Sequence, residues 1–142
     1  MAATATGLIA LGDLRDAAAA VLAPATDTDP VVLVDRVDSL TPPALMLDWA
    51  DPWLEPGTGP GTPTMGGCMW TAQLLVVCVG ARLEPGPGVA ICEQLVGYTI
   101  DRLEADPAYT WPIDTVAAPR QHDISGVTYL AAFVQYRVPT TI

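Results

Sequence analysis

The chain has 142 residues, 51% of them hydrophobic, a length that suits one hydrophobic core and is too short for two ordinary domains. Its formal net charge is −10, and its basic residues, all arginines, form no cluster that could hold a phosphate backbone, which argues against nucleic-acid binding. The three cysteines include no Cys-x-x-Cys pair, so we expect buried free thiols in a reducing cytoplasm, without a disulfide framework or a zinc site.

The first predicted element is a helix over residues 7–22, which Pro24 prevents from continuing. Its apolar residues recur at helical spacing: Leu8, Leu11, Leu14, Ala18, Val21 and Leu22. Asp13, Arg15 and Asp16 interrupt the apolar run, and no uninterrupted stretch reaches the roughly eighteen residues that a membrane span needs. We therefore expect neither a signal peptide nor an association with a membrane.

Two strands are predicted next, over residues 31–38 and 44–50, and Pro42–Pro43 between them favours a hairpin. Residues 51–67 then contain four prolines and five glycines among seventeen residues, which predicts a long surface loop. The large apolar residues of this loop are Trp53, Leu54 and Met65. Such side chains have two interpretations, a contact surface for another molecule or a segment that folds back onto the core.

Residues 69–83 predict a long strand that is apolar on both faces, as in a strand buried on two sides. A Gly-Pro turn follows, and residues 86–105 then predict the main helix, with an acidic, solvated face opposite one apolar stripe. The residues of this stripe are Val89, Cys92, Leu95, Val96, Thr99, Ile100 and Leu103. This helix can cover one face of the strand. We expect a second layer or a neighbouring subunit to cover the other face.

The remaining chain predicts an irregular stretch over residues 107–125, which contains Tyr109 and Trp111, and a closing strand over residues 127–138. The predicted fold class is α+β, in a single domain over residues 1–142. It has a mostly antiparallel sheet of about four strands, on which the N-terminal helix and the long helix pack. The predicted order is α-β-β-β-α-β.

A search for chemistry in the sequence gives no catalytic, cofactor-binding or metal-binding candidate. The single histidine, His122, lies near Ser125, but their setting matches no known nucleophile arrangement, so we interpret His122 as a loop histidine. The run from Gly57 to Gly61 lacks the Lys-Ser/Thr of a phosphate-binding loop, and a strand follows it instead of a helix. We therefore expect no enzyme, no cofactor and no metal.

Tryptophan and tyrosine dominate the aromatic residues, with four of each against one phenylalanine. Such side chains, apolar with one polar group, are enriched where proteins contact each other. The candidates for an interface are Trp53, Leu54, Met65, Trp70, Tyr109 and Trp111.

Six segments together resemble the tail terminator proteins of long-tailed (siphovirus) phages, with a composition like that of actinobacteriophages. They are GLIALGDLRDAAAAVL, VVLVDRVDSLTPPALMLDWADPW, the Pro/Gly loop after it, TAQLLVVCVGAR, GPGVAICEQLVGYTIDRLEAD and TYLAAFVQYRV. The resemblance covers nearly the whole chain. The resemblance is one of length, element order and the pattern of apolar and polar residues, because no invariant catalytic motif defines the family.

The resemblance implies a six-fold ring that caps the finished tail tube, stops polymerisation of the tube protein and meets the head-side connector or stopper protein. It implies assembly in the host cytoplasm and a place in the virion, at the tail or neck. DNA would cross the ring as passing cargo without specific binding. Six copies at −10 would give a formal −60, which suits a channel that must not hold DNA.

Three other interpretations remain open from the sequence. The nearest is a head-tail connector or stopper, or a minor tail protein. A second is a small enzyme that uses His122 and a carboxylate. A third is a dimeric ligand-binding α+β domain, which an enclosed pocket would favour.

Overall fold

The computed structural model describes residues 8–34, 40–56, 70–82 and 88–141. The elements are β1 (Ile9–Ala10), a 3-10 turn (Leu11–Asp13), α1 (Leu14–Leu22), β2 (Val31–Leu33), β3 (Ala44–Pro56), β4 (Trp70–Arg82), α2 (Gly88–Glu104), β5 (Ile113–Ile124) and β6 (Val127–Thr141). The predicted helix over residues 7–22 is therefore shorter than expected, since β1 and the 3-10 turn occupy its first part.

The predicted fold class, α+β with about four mostly antiparallel strands in the order α-β-β-β-α-β, is wrong. The chain is mostly β, with one six-stranded mixed sheet that curls into a half-barrel. The strand order is β1-β6-β4-β3-β2, and β5 pairs with the same edge of β6 as β1. Two pairings are parallel, β1 with β6 and β2 with β3, whereas the central ones are antiparallel.

The predicted hairpin between residues 31–38 and 44–50 is also wrong, because β2 and β3 run parallel. Leu40 is buried against the sheet, and the Tyr129 hydroxyl donates a hydrogen bond to the Leu40 carbonyl at 3.3 Å. Leu40, which precedes β3, therefore lies over one face of the sheet.

Two segments predicted as irregular form strands. Residues 51–56 of the predicted loop continue β3 past a bulge between Trp49 and Leu54, and the stretch over residues 107–125 contains β5. Both hold prolines, which lack the N–H that an inner strand donates. Among the described residues, neither β5 nor the part of β3 beyond Met46 has a strand partner on its outer edge, and prolines are tolerated there.

The predicted long strand and main helix are confirmed as β4 and α2. Four residues of the predicted stripe are buried, Cys92, Leu95, Thr99 and Leu103, together with Gly88, whereas Val89 at the start of the stripe is 50% exposed. The buried residues pack on the even-numbered side chains of β4 from Ala72 to Cys78. A buried leucine contributes about 1.5–3 kcal/mol by leaving water, so this stripe fixes α2 on the sheet. We call this side of the sheet the helical face.

The opposite side, which we call the inner face, was expected to need a second layer or a neighbouring subunit. The chain covers half of it with its own curled sheet. Val77 and Val79 of β4 are fully buried there, and Leu40 and Ile124 close over them. The other half of the inner face is polar and partly open.

Candidate functional site

A row of polar side chains crosses the open half of the inner face, with one residue on each of four strands. Gln73 of β4 is 2% exposed, and its amide nitrogen donates to Glu55 Oε1 of β3 at 3.0 Å. Gln135 of β6 donates to Gln73 Oε1 at 3.0 Å and to Asp114 Oδ2 of β5 at 3.3 Å. Because the buried amide is satisfied on both sides, this row fixes the register of the strands at the open end.

Beside this row lies an open groove, which we call the inner groove, with a volume of about 390 Å³. Its lining comes from β3, β4, β5 and β6: Trp49, Ala50, Asp51, Leu75, Thr115, Ala117, Arg120, Phe133 and Gln135. The Arg120 guanidinium lies 4.5 Å from the centre of the Phe133 ring, and His122 meets the same ring edge-on at 5.0 Å.

A second groove, which we call the lateral groove, lies on the helical face between α2 and β5, with a volume of about 320 Å³. It is also open to solvent. Its lining is apolar except for one carboxylate: Glu93, Val96, Val116, Ala117, Ala118, Pro119 and Ala132. Val116 is 48% exposed, so an apolar surface faces water beside the free edge of β5.

An exposed tryptophan stands at the other end of the sheet. Trp53, in the bulge of β3, is 44% exposed, and its ring centre lies 5.5 Å from that of Trp49. Trp49 packs against the helical core, and the Arg15 guanidinium of α1 lies 5.8 Å from its ring centre. Arg15 also donates to the Val34 carbonyl at 2.9 Å. These contacts hold the exposed Trp53 ring against a fixed support.

The interface candidates separate into two groups. Trp53 and the half-buried Leu54 lie together at the bulge of β3. Tyr109 and Trp111 form the other group, edge to face at 6.4 Å, but Trp111 is 6% exposed and its indole N–H donates to Asp106 Oδ2 at 2.8 Å. Trp111 thus belongs to the chain's own core.

Of the two remaining candidates, Trp70 begins β4 and is half-buried, and Met65 lies outside the described residues. Five exposed large apolar residues in the described ranges were not among the candidates, namely Leu8, Val31, Val89, Ile113 and Val116. Val89 was expected on the apolar stripe of α2, and Ile113 and Val116 lie on the unpredicted β5. The turn of Ser125 and Gly126, both with positive φ, was the available signal, because such a pair joins hairpin strands.

The expectation of buried free thiols is confirmed for two of the three cysteines, Cys78 and Cys92. Burial raises the pKa of the Cys78 thiol to about 12 and also raises the pKa of Cys92. Neither is a reactive thiolate at neutral pH, because reactivity needs a lowered pKa and access to solvent. Cys68 lies outside the described residues.

In the described parts of the chain, no three His, Cys, Asp or Glu residues are placed to hold a metal ion together. Within the same ranges, no helix has the length and apolar character to cross a bilayer. Comparison with protein-family models and with curated proteins gave no match to this chain.

Proposed function

We propose that this chain is a structural protein of a phage tail, which forms a ring at the end of the tail tube. The ring ends polymerisation of the tube and joins the tail to the head-side connector. The observation that carries the proposal is that the chain exposes two different apolar surfaces at opposite ends of one sheet. These are Trp53 on β3 and the lateral groove beside β5.

Two unlike surfaces on one subunit favour a head-to-tail contact between copies. Such a contact gives a closed ring when the rotation between neighbours divides a full turn, and an open filament when it does not. A contact of one surface with itself would give only a dimer. The sequence resemblance to tail terminators adds the six-fold number and the place of the ring on the tail tube.

The charge of the chain fits a channel through which DNA passes. A formal charge of −10 per copy repels the phosphate backbone, so the wall would not retain DNA in transit. Of the five described arginines, Arg15, Arg102 and Arg120 lie over aromatic rings of their own chain, and the basic residues form no cluster in the sequence.

The first test is the mass of the purified chain. Native mass spectrometry should give a ring of six times 14.9 kDa, or about 89 kDa, in equilibrium with monomer. Monomer alone at every concentration, with tail tubes present as well as absent, would overturn the proposal.

The second test distinguishes a terminator from a stopper or a minor tail protein. Deletion of the gene should give particles with overlong tails, because the tube then lacks its stop. Filled heads beside detached tails of normal length would instead indicate a joining protein. Electron micrographs of the two particle types separate these outcomes.

A further inference from the structure

We infer that Trp53 of one copy inserts into the lateral groove of the next copy, so that this contact is the repeating interface of the assembly. The inference rests on the proposed function, since it names the surfaces by which the ring would be built. It assigns the occupant of the groove as a second copy of this chain.

Both surfaces lie on the helical face, on opposite flanks of the helical layer. α2 packs over β4 and β6, and α1 packs over β2 and β3. The lateral groove lies outside α2, and Trp53 lies at the bulge of β3, beside the α1 residue Arg15 and Trp49. In the sheet, β4 and β6 lie between the strands that carry the two surfaces, so within one copy Trp53 and the groove are on opposite sides of the helical layer.

The register of the strands gives the offset between the two surfaces along the sheet. Val116 in the groove pairs with Val134, which pairs with Val76. Trp53 lies in the bulge between Trp49, which pairs with Leu74, and Leu54, which pairs with Ala72. Leu74 and Ala72 are two and four residues from Val76, so Trp53 lies about 7–13 Å further along the strands than Val116. Copies set side by side, with their helices on one side, bring the two surfaces together when they are shifted along the strands by about that distance.

The chemistry of the groove matches an indole ring. The groove walls are small apolar side chains, and Glu93 supplies the one carboxylate of the lining. A tryptophan has a large apolar body and a single N–H donor, which a carboxylate accepts in a charge-assisted hydrogen bond. The contact of Trp53 with Trp49 holds the ring in place before binding, which lowers the entropy cost of association.

Direct pairing of the free strand edges is a poorer alternative. The outer edge of β3 carries Pro52 and Pro56 and is interrupted by the bulge, and β5 carries Pro119 beside a bulge of its own. Prolines and bulges are the devices that stop an edge from adding another strand. The copies must then meet mainly through side chains, as a tryptophan in a groove does.

A pair of variants tests the energetic part of the inference. Trp53→Ala should raise the concentration of half-assembly at least about ten-fold, because a buried tryptophan is the residue type that most often dominates an interface. Val31→Ala is the matched control, since Val31 is 57% exposed on β2, away from the groove. It should leave assembly unchanged. Circular dichroism checks that both variants remain folded.

Cysteine crosslinking tests the geometry, in a Cys68→Ser background. Because Trp53→Cys removes the indole as Trp53→Ala does, the oxidation is carried out above the half-assembly concentration measured for Trp53→Ala. There, Trp53→Cys and Ala118→Cys should each give no dimer alone, and a mixture of the two should give a disulfide-linked dimer. The double variant should give a ladder up to the ring size. Asp101→Cys, on the exposed face of α2, is the control and should not link to Trp53→Cys.

The outcomes separate the inference from the proposed function. A ring of unchanged mass and stability in Trp53→Ala, with no link between positions 53 and 118, would overturn the inference and leave the ring itself standing. A wild-type chain that stays monomeric with and without tail tubes would overturn the proposed function, and the inference with it.

Discussion

Gly80 of β4 and Cys92 of α2 meet so closely that a Cβ atom on Gly80 would lie 2.6 Å from the Cys92 sulfur and 2.8 Å from the Gly88 carbonyl oxygen. No real Cβ tolerates such distances, so a side chain at this position would force α2 away from the sheet. The Cys92 thiol also lies 3.7 Å from the Cys78 carbonyl oxygen and 3.5 Å from that of Leu130. The absence of a side chain at Gly80 therefore sets the distance between helix and sheet.

Gly80→Ala is expected to lower the free energy of unfolding by about 1–3 kcal/mol, the usual cost of overpacking a core. Gly97→Ala is the matched control, because a Cβ on Gly97 meets nothing within 4 Å. Alanine favours a helix over glycine by about 1 kcal/mol, so this variant should be more stable than the wild type. Urea unfolding of the three proteins measures both changes, and equal losses in both variants would contradict this explanation.

The polar row on the inner face predicts a cost for removing the Gln73 amide. Gln73→Met keeps the length of the side chain but leaves Glu55 and Gln135 without their central partner. The expected loss is about 1–2 kcal/mol in urea unfolding, because both lost bonds end on a buried amide. Gln94→Met, on the exposed face of α2, should change stability little. If the two variants behave alike, the row does not stabilise the fold.

The parts of the fold that the sequence predicted are those with strong local periodicity. The apolar stripe from Cys92 to Leu103 indicates a helix, and the apolar run of β4 indicates a buried strand. Together they predict a helix packed on that strand. The burial of β4 on two faces was also readable, since Val77 and Val79 are as apolar as Val76 and Cys78. These two elements form the centre of the structure.

The wrong parts depend on partners that are distant in sequence. β5 is an edge strand with most residues exposed, so it lacks the apolar alternation that marks a half-buried strand. The parallel pairing places Val31 beside Ala44, and no local pattern encodes whether two neighbouring strands pair parallel or antiparallel. The lateral groove needs both β5 and α2, so missing β5 also hid the groove and left Trp53 without an identified counterpart.

Two buried tyrosines predict opposite responses to the loss of a hydroxyl group. The Tyr129 hydroxyl donates to the Leu40 carbonyl, and the Tyr136 hydroxyl has no hydrogen-bond partner among the described residues. Burial raises the pKa of Tyr136 well above its usual value, in line with a hydroxyl in apolar surroundings. Tyr129 and Tyr136 are almost fully buried, at 0% and 1% exposure, so the two residues differ mainly in whether the hydroxyl group has a hydrogen-bond partner.

Tyr129→Phe should lose about 0.5–1.5 kcal/mol, the net value of one hydrogen bond. Tyr136→Phe should be neutral or more stable, because it removes an unsatisfied polar group from the core. Thermal and urea unfolding of both variants at neutral pH test this. A larger loss for Tyr136→Phe than for Tyr129→Phe would mean that the Tyr136 hydroxyl has a partner that stabilises the fold.

Asp29 predicts a stability difference that depends on pH. Its carboxylate accepts from the backbone N–H of Ala25 at 2.8 Å and of Thr26 at 3.1 Å, and from Arg102 of α2 at 3.2 Å. The hydrogen bond from Ala25 is the largest cause that lowers the pKa of Asp29 below its usual 3.8. A lowered folded-state pKa means that the charged form is favoured in the folded chain, so its contribution is complete above 3.8 and is lost as the pH falls through the folded-state value.

Asp29→Asn should therefore have a lower Tm than the wild type at pH 6, and the gap should narrow as the pH falls below 3.8. Asp27→Asn removes the same charge from an exposed position in the same loop and controls for net charge. Raising the salt concentration should reduce mainly the part of the Tm difference that comes from the ion pair with Arg102. Hydrogen bonds from backbone N–H groups are screened less than an exposed ion pair. A gap between Asp29→Asn and Asp27→Asn that stays constant from pH 6 to pH 2.5 would exclude the Asp29 carboxylate as its source.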